Sequence, residues 1–166
     1  KRMQDKVIFS VLQEYTRSGL FEEMTIIKND MAEKLIENAS ITEYYSAINS
    51  LISSTYHMIQ VLDHQKTVVS NAEDILDSRR INTIGILSEN NQEKMFYDID
   101  IPMDVMLYYG ICDSSLNEDK DLQRNIIKHV KEKTGDLCKY SYGVYQTKYD
   151  SNFCYIKKHT SKTQDF

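Results

Sequence analysis

The sequence predicts an α+β protein: long N-terminal helices, as a hairpin or small bundle, packed on a C-terminal mixed region with an antiparallel sheet. Two observations carry this. Residues 20–84 contain no Gly and no Pro, in a chain that holds five Gly and one Pro in all. Those two residues are the strongest local punctuation, so their absence points to long helices. After residue 80 the hydrophobic rhythm shifts towards alternation, the period of a half-buried strand. The expected order is α-α-α-β-β-α-α-β-β, with a helical part over 1–80 and an α/β part over 81–166 that share one core.

Ile8, Val11, Leu12 and Tyr15 mark a first amphipathic helix over about 4–17, ended by Ser18-Gly19. Phe21, Met24, Ile27, Met31 and Leu35 predict a second helix reaching about Asn38. Ser40-Ile-Thr-Glu43 has the form of a capping box, in which a hydroxyl and a carboxylate satisfy each other's orphan amides. It opens a third helix with Tyr45, Ile48, Ile52, Tyr56 and Ile59 on one face and a second apolar stripe beside it, the mark of burial over a wide arc. A second box, Ser70-Asn-Ala-Glu73, starts a short helix or kinks the long one.

Ile81–Leu87 is rich in strand formers, and Met95, Tyr97, Ile99 and Ile101 alternate with polar neighbours. Ser88–Gln92 between them reads as a hairpin loop. Pro102 followed by Asp104 predicts a short helix stopping at Gly110. Ser115-Leu-Asn-Glu118 opens a further helix closed by Gly135. Leu137–Tyr149 and Phe153–Thr160 complete the chain as two strands around Asp150-Ser-Asn. In outline, strands, helices and strands after a long helix resemble PAS, Cache and GAF sensor domains.

Composition excludes several classes. With 41% hydrophobic and 27% charged residues the chain is too apolar for disorder. No apolar run approaches the roughly 20 residues a bilayer requires, so no membrane span is expected. The Lys1-Arg2 start reads as an excised or processed piece. Cys112, Cys138 and Cys154 cannot all pair; three thiols favour a reducing, cytoplasmic setting, with a Cys138–Cys154 bridge as the rival. Asn38-Ala39-Ser40 is a glycosylation sequon of little weight. Charge is uneven: residues 89–121 carry nine acids against two lysines, and 122–162 nine Lys/Arg against three acids.

Candidate chemistry is sparse. His57 and His64 share a helix face at a spacing too wide for a usual zinc pair, so no metal is expected. Cys154 and His159 fall on opposite strand faces, which argues against a thiol nucleophile. Asp98 and Asp100 share a face near Asp104, but they alternate with apolar residues as the wet side of a sheet. No Gly-rich phosphate loop or Rossmann-type spacing is present, and no catalytic residue or cofactor is assigned.

Five of the twelve tyrosines, Tyr140, Tyr142, Tyr145, Tyr149 and Tyr155, lie in the last 27 residues among lysines. Such residues could stack bases, but an acidic chain argues against nucleic acid. They are also favoured at protein interfaces. The expected function is therefore a non-catalytic interaction or dimerisation module of a larger protein, binding a protein partner or itself. The alternative is a small-molecule sensing regulatory domain in signalling. Tyr140, Tyr142, Tyr145 and Tyr108 are the partner- or ligand-binding candidates, with Tyr97 as a further pocket residue.

Overall fold

The computed structural model describes residues 2–36, 40 and 42–165. In chain order the elements are α1 (Arg2–Arg17), β1 (Met24–Thr25), α2 (Asn29–Glu33), α3 (Tyr44–Asp63), β2 (Val69–Ser70), β3 (Ile81–Leu87), β4 (Glu93–Met95), β5 (Asp104–Cys112), α4 (Asp113–Glu118), α5 (Leu122–Lys133), β6 (Lys139–Thr147) and β7 (Phe153–Thr160). The seven strands form one mixed sheet in the order β1-β3-β7-β5-β6-β2, with β4 also on β3.

This corrects the expected fold class. The chain is not a helical hairpin or bundle resting on a small antiparallel sheet; it is a mixed sheet covered by helices on both faces. β5 and β6 are parallel through nine residue pairs, joined by the α4–α5 crossover. β7 lies antiparallel between β3 and β5, so the last two strands are not a hairpin with each other.

The physical reason lies in β5. A strand buried on both faces loses its alternation and reads as a continuous apolar run. Val105, Met106, Leu107 and Tyr108 are all buried, two towards each face. Without a period, the Pro102–Asp104 start signal suggested a helix. β3 behaves the same way, with six of its seven residues buried.

Two cores result. On one face Leu87, Val105, Leu107, Ile111, Tyr142 and Ile156 pack under Ile126 and Val130 of α5. On the other, Ile48, Ile59 and Leu62 of α3 pack over Ile84, Phe96, Met106, Tyr108 and Tyr145. A smaller cluster of Ile26, Ile81, Tyr97 and Ile99 receives Phe9 of α1.

Other expectations fail locally. The second helix is only the five residues of α2, preceded by β1 pairing Met24 with Ile81. Its expected end at Asn38, Ile41 of the first capping box, and Asn38-Ala39 of the sequon lie outside the described residues. Ser70 caps no helix: it sits on β2, where its hydroxyl donates to the Tyr142 carbonyl and accepts from the Ala72 amide. A β3–β4 hairpin is present about Ser88–Gln92, with Asn91 at φ 60° in the left-handed region that Asn tolerates, but its second strand is only Glu93–Met95, and the strand expected through Tyr97, Ile99 and Ile101 is irregular. Tyr45 and Tyr56 of α3 are exposed, so that helix buries a narrower arc than expected.

Candidate functional site

The candidate tyrosines are all buried and are divided between the two faces of the sheet. Tyr140 and Tyr142 belong to the α5-side core. The Tyr140 hydroxyl donates to Glu93 Oε1 at 2.8 Å, and burial together with that carboxylate pushes its phenol pKa up. Glu93 also meets Lys158 Nζ at 2.6 Å. Desolvation opposes its ionisation, yet Lys158, Tyr140 and Lys133 together hold its carboxyl below the ordinary value. Tyr108 and Tyr145 stack on the α3 side, with ring centroids 6.2 Å apart and an interplanar angle of 20°. Tyr97 donates to the Asp165 carbonyl at 2.8 Å.

The remaining candidates do not converge. Asp98 and Asp100 are exposed, while Asp104 is engaged by Arg79. His57 and His64 are exposed on α3 and at its end. Cys112, Cys138 and Cys154 are free thiols, and burial pushes those of Cys138 and Cys154 up. No metal-ligating cluster occurs among the described residues.

The feature that stands out is the orientation of α1. Facing the sheet are Phe9, Gln13 and Thr16, of which only Phe9 is apolar. Gln13 and Thr16 are fully buried. Met3, Val7, Ile8, Val11 and Tyr15 fall on the opposite side at 100° per residue and are exposed, Met3 at 82% and Val7 and Ile8 at 58% each. An amphipathic helix normally buries its apolar stripe in its own core. Here that stripe points away from it, and Leu20 and Phe21 extend it past the helix end.

α1 is nevertheless fixed in place. Gln13 pairs with the main chain of Gln164, and in the following loop Glu23 receives Lys157 Nζ from the sheet at 2.7 Å. The outward face is thus a built surface.

No family model matches the sequence, and no curated protein does. Solved structures do match. FtsZ of M. jannaschii, as its W319Y mutant, superposes at a TM-score of 0.56 with 15% identity, over 84% of this chain and 46% of its own. CetZ2 of Haloferax volcanii, solved as a GTPγS-bound protofilament, gives 0.55 and 13%, over 91% of this chain and 49% of its own. TubZ of Bacillus thuringiensis serovar israelensis, a GTPγS-form protofilament, gives 0.55 and 16%, over 92% and 47%.

The chain has the fold that FtsZ, CetZ and TubZ share. It spans about half the length of these proteins. The match overturns the reading as a PAS-, Cache- or GAF-like sensing domain, and with it the reading as a dimerisation or signalling module. Among the described residues no helix is long and apolar enough to cross a membrane.

Sequence reasoning missed Gln13, Glu23 and Lys157. Lys157 was findable: with Phe153, Tyr155 and His159 it holds one face of a strand by simple alternation, and that face is covered. Gln13 carries no such signal, because an inverted amphipathic helix has the same period as a normal one.

Proposed function

We propose that this chain is one half of a self-assembling, filament-forming subunit of the FtsZ–CetZ–TubZ kind, with the outward face of α1 packed against the other half of the fold. The observation that carries this is the coincidence of two facts. Nearly the whole chain matches about half of each protofilament protein, and α1 presents apolar side chains that the described residues leave exposed. Exposed contiguous apolar surface of this kind marks an interface.

The GTPγS and GDP forms of the neighbours suggest guanine nucleotide as the assembly ligand. This sequence has no Gly-rich phosphate loop, so the phosphates are assigned to the other half. Self-association through heterologous contacts would give an open filament rather than a closed ring.

The test is light scattering and negative-stain microscopy of the full polypeptide with GTPγS and with GDP. Filaments that depend on the nucleotide are expected; a monodisperse solution in both rejects the proposal. Hydrogen exchange reads the packing separately. Protection of Val7–Tyr15 beyond what intrahelical bonds give is expected, and free exchange there would remove the docking role of α1.

A further inference from the structure

A groove of about 940 Å³ lies between the C-terminal half of α3 and the end of β6, away from α1 and its outward face. One wall is helical: Met58, Val61 and Leu62 recur at i, i+3 and i+4 and so share a flank of α3. The other wall is Val68, which leads into β2, with Gln146 of β6 and Tyr149 beyond it. The two walls are tied together. The Tyr149 hydroxyl meets Met58 Sδ at 3.9 Å, and Gln65 Nε2 donates to the Gln146 carbonyl at 3.4 Å. Tyr149 is also held edge-on by Phe153, with ring centroids 5.7 Å apart at 74°. The shape of the groove is therefore set by contacts within the protein.

Its lining is apolar and open to solvent. Leu62 is buried beneath it, while Val61, Val68 and Tyr149 stand 42%, 57% and 58% exposed. Exposed apolar side chains gathered in one concavity mark an interaction site. Charge then says what fits. The one carboxylate lining the groove among the described residues, Asp113, accepts from Gln146 Nε2 at 2.6 Å. Lys66 and Lys148 line the groove as well, and neither has an ion-pair partner among the described residues. The free charge at the rim is thus positive, although the chain as a whole carries −5. That overall charge repels a nucleic acid, and two lysines do not offset it. An apolar floor with a cationic rim complements a segment that is apolar along one side and acidic along its flanks.

We propose that this groove docks an acidic amphipathic helix of a partner protein. The partner's apolar side chains rest on Val61, Val68 and Tyr149, and its carboxylates reach Lys66 and Lys148.

Fluorescence anisotropy of the full polypeptide tests this with a labelled synthetic peptide carrying Leu at i, i+3, i+4 and i+7 and Glu on the flanking positions. Saturable binding that weakens with rising salt is expected. The same peptide with Lys in place of Glu should bind at least about tenfold more weakly, and polyglutamate, which brings charge without apolar groups, should not compete. The double variant Lys66→Glu, Lys148→Glu should weaken the acidic peptide about tenfold, the scale of two exposed ion pairs lost and two repulsions gained. Val68→Ser should weaken it through lost apolar contact at an exposed position, with the melting temperature unchanged. Lys131→Glu on α5, remote from the groove, should leave binding as it was.

Equal affinity for the acidic and basic peptides overturns the proposal, as does acidic-peptide binding that survives both the double variant and Val68→Ser. Absence of binding also overturns it, and means that a second copy or another part of the polypeptide fills the groove. Sedimentation velocity tells these apart: self-association that falls in the double variant identifies the second copy. The titration is run without nucleotide, so its result is independent of filament formation.

Discussion

Gln13 holds Gln164 the way one strand holds another: its Nε2 donates to the Gln164 carbonyl at 3.0 Å and its Oε1 accepts from the Gln164 amide at 2.6 Å. Both residues are buried, Gln13 completely. One side chain thereby satisfies two main-chain groups, and this two-point contact helps set which side of α1 faces the sheet. Gln13→Ala leaves a buried N–H and C=O without partners, at a cost of about 1–3 kcal/mol. A urea midpoint measures the loss. Unchanged stability would mean that water replaces the amide and that the contact does not orient α1.

Gly110 in the middle of β5 lies under the ring of Phe153, its partner across β7. A Cβ built on Gly110 would meet the Phe153 ring at 2.1 to 2.7 Å. The aromatic ring fills the place a side chain would occupy. Gly110→Ala should therefore destabilise by about 1–3 kcal/mol through overpacking. The same substitution beside Phe153→Leu should cost less than the two single effects added together, since one clash is shared. Strict additivity in chemical denaturation would contradict this geometry.

How much of this was legible depended on burial. Strand β7 has the bounds its alternation predicts, whereas the single helix expected from Ser115 to Gly135 is two, α4 and α5, with a break at 119–121. β1 and β2 have two residues each and owe their existence to the sheet that receives them, so no local signal announces them. β5 was lost because burial on both faces erased its alternation. The Gln13–Gln164 contact was invisible for a different reason: its partners are 151 residues apart and meet only in the folded chain.

Glu23 and Lys157 form an ion pair whose partners are unequally placed, Lys157 with 6% of its side chain exposed and Glu23 with 33%. Removing the exposed member strands the buried one. Glu23→Ala leaves an ammonium inside the protein with no counter-charge and also takes an acceptor from Asn82, for a loss of about 3 kcal/mol. Lys157→Met replaces the buried charge with an apolar chain and leaves a carboxylate that water can reach, costing about 1 kcal/mol or less. Calorimetric melting of the two variants should therefore rank them unequally. Equal losses would show that Lys157 is hydrated in solution.

The same burial makes His159 a pH sensor of stability. Desolvation lowers its pKa from 6.5 to about 4 in the folded protein, with the neighbouring Lys157 acting in the same direction. Between those values the unfolded chain binds a proton that the folded chain refuses, so stability rises with pH across this window and falls as the solution is acidified. The full effect is on the order of 3 kcal/mol, reached near pH 4 and absent above about pH 6.5. His129, whose pKa is also lowered by burial, steepens the slope in the same sense. Urea midpoints measured from pH 7 downward should decline through this range, and His159→Gln should flatten the decline. A variant with the wild-type slope would assign the acid sensitivity to other groups.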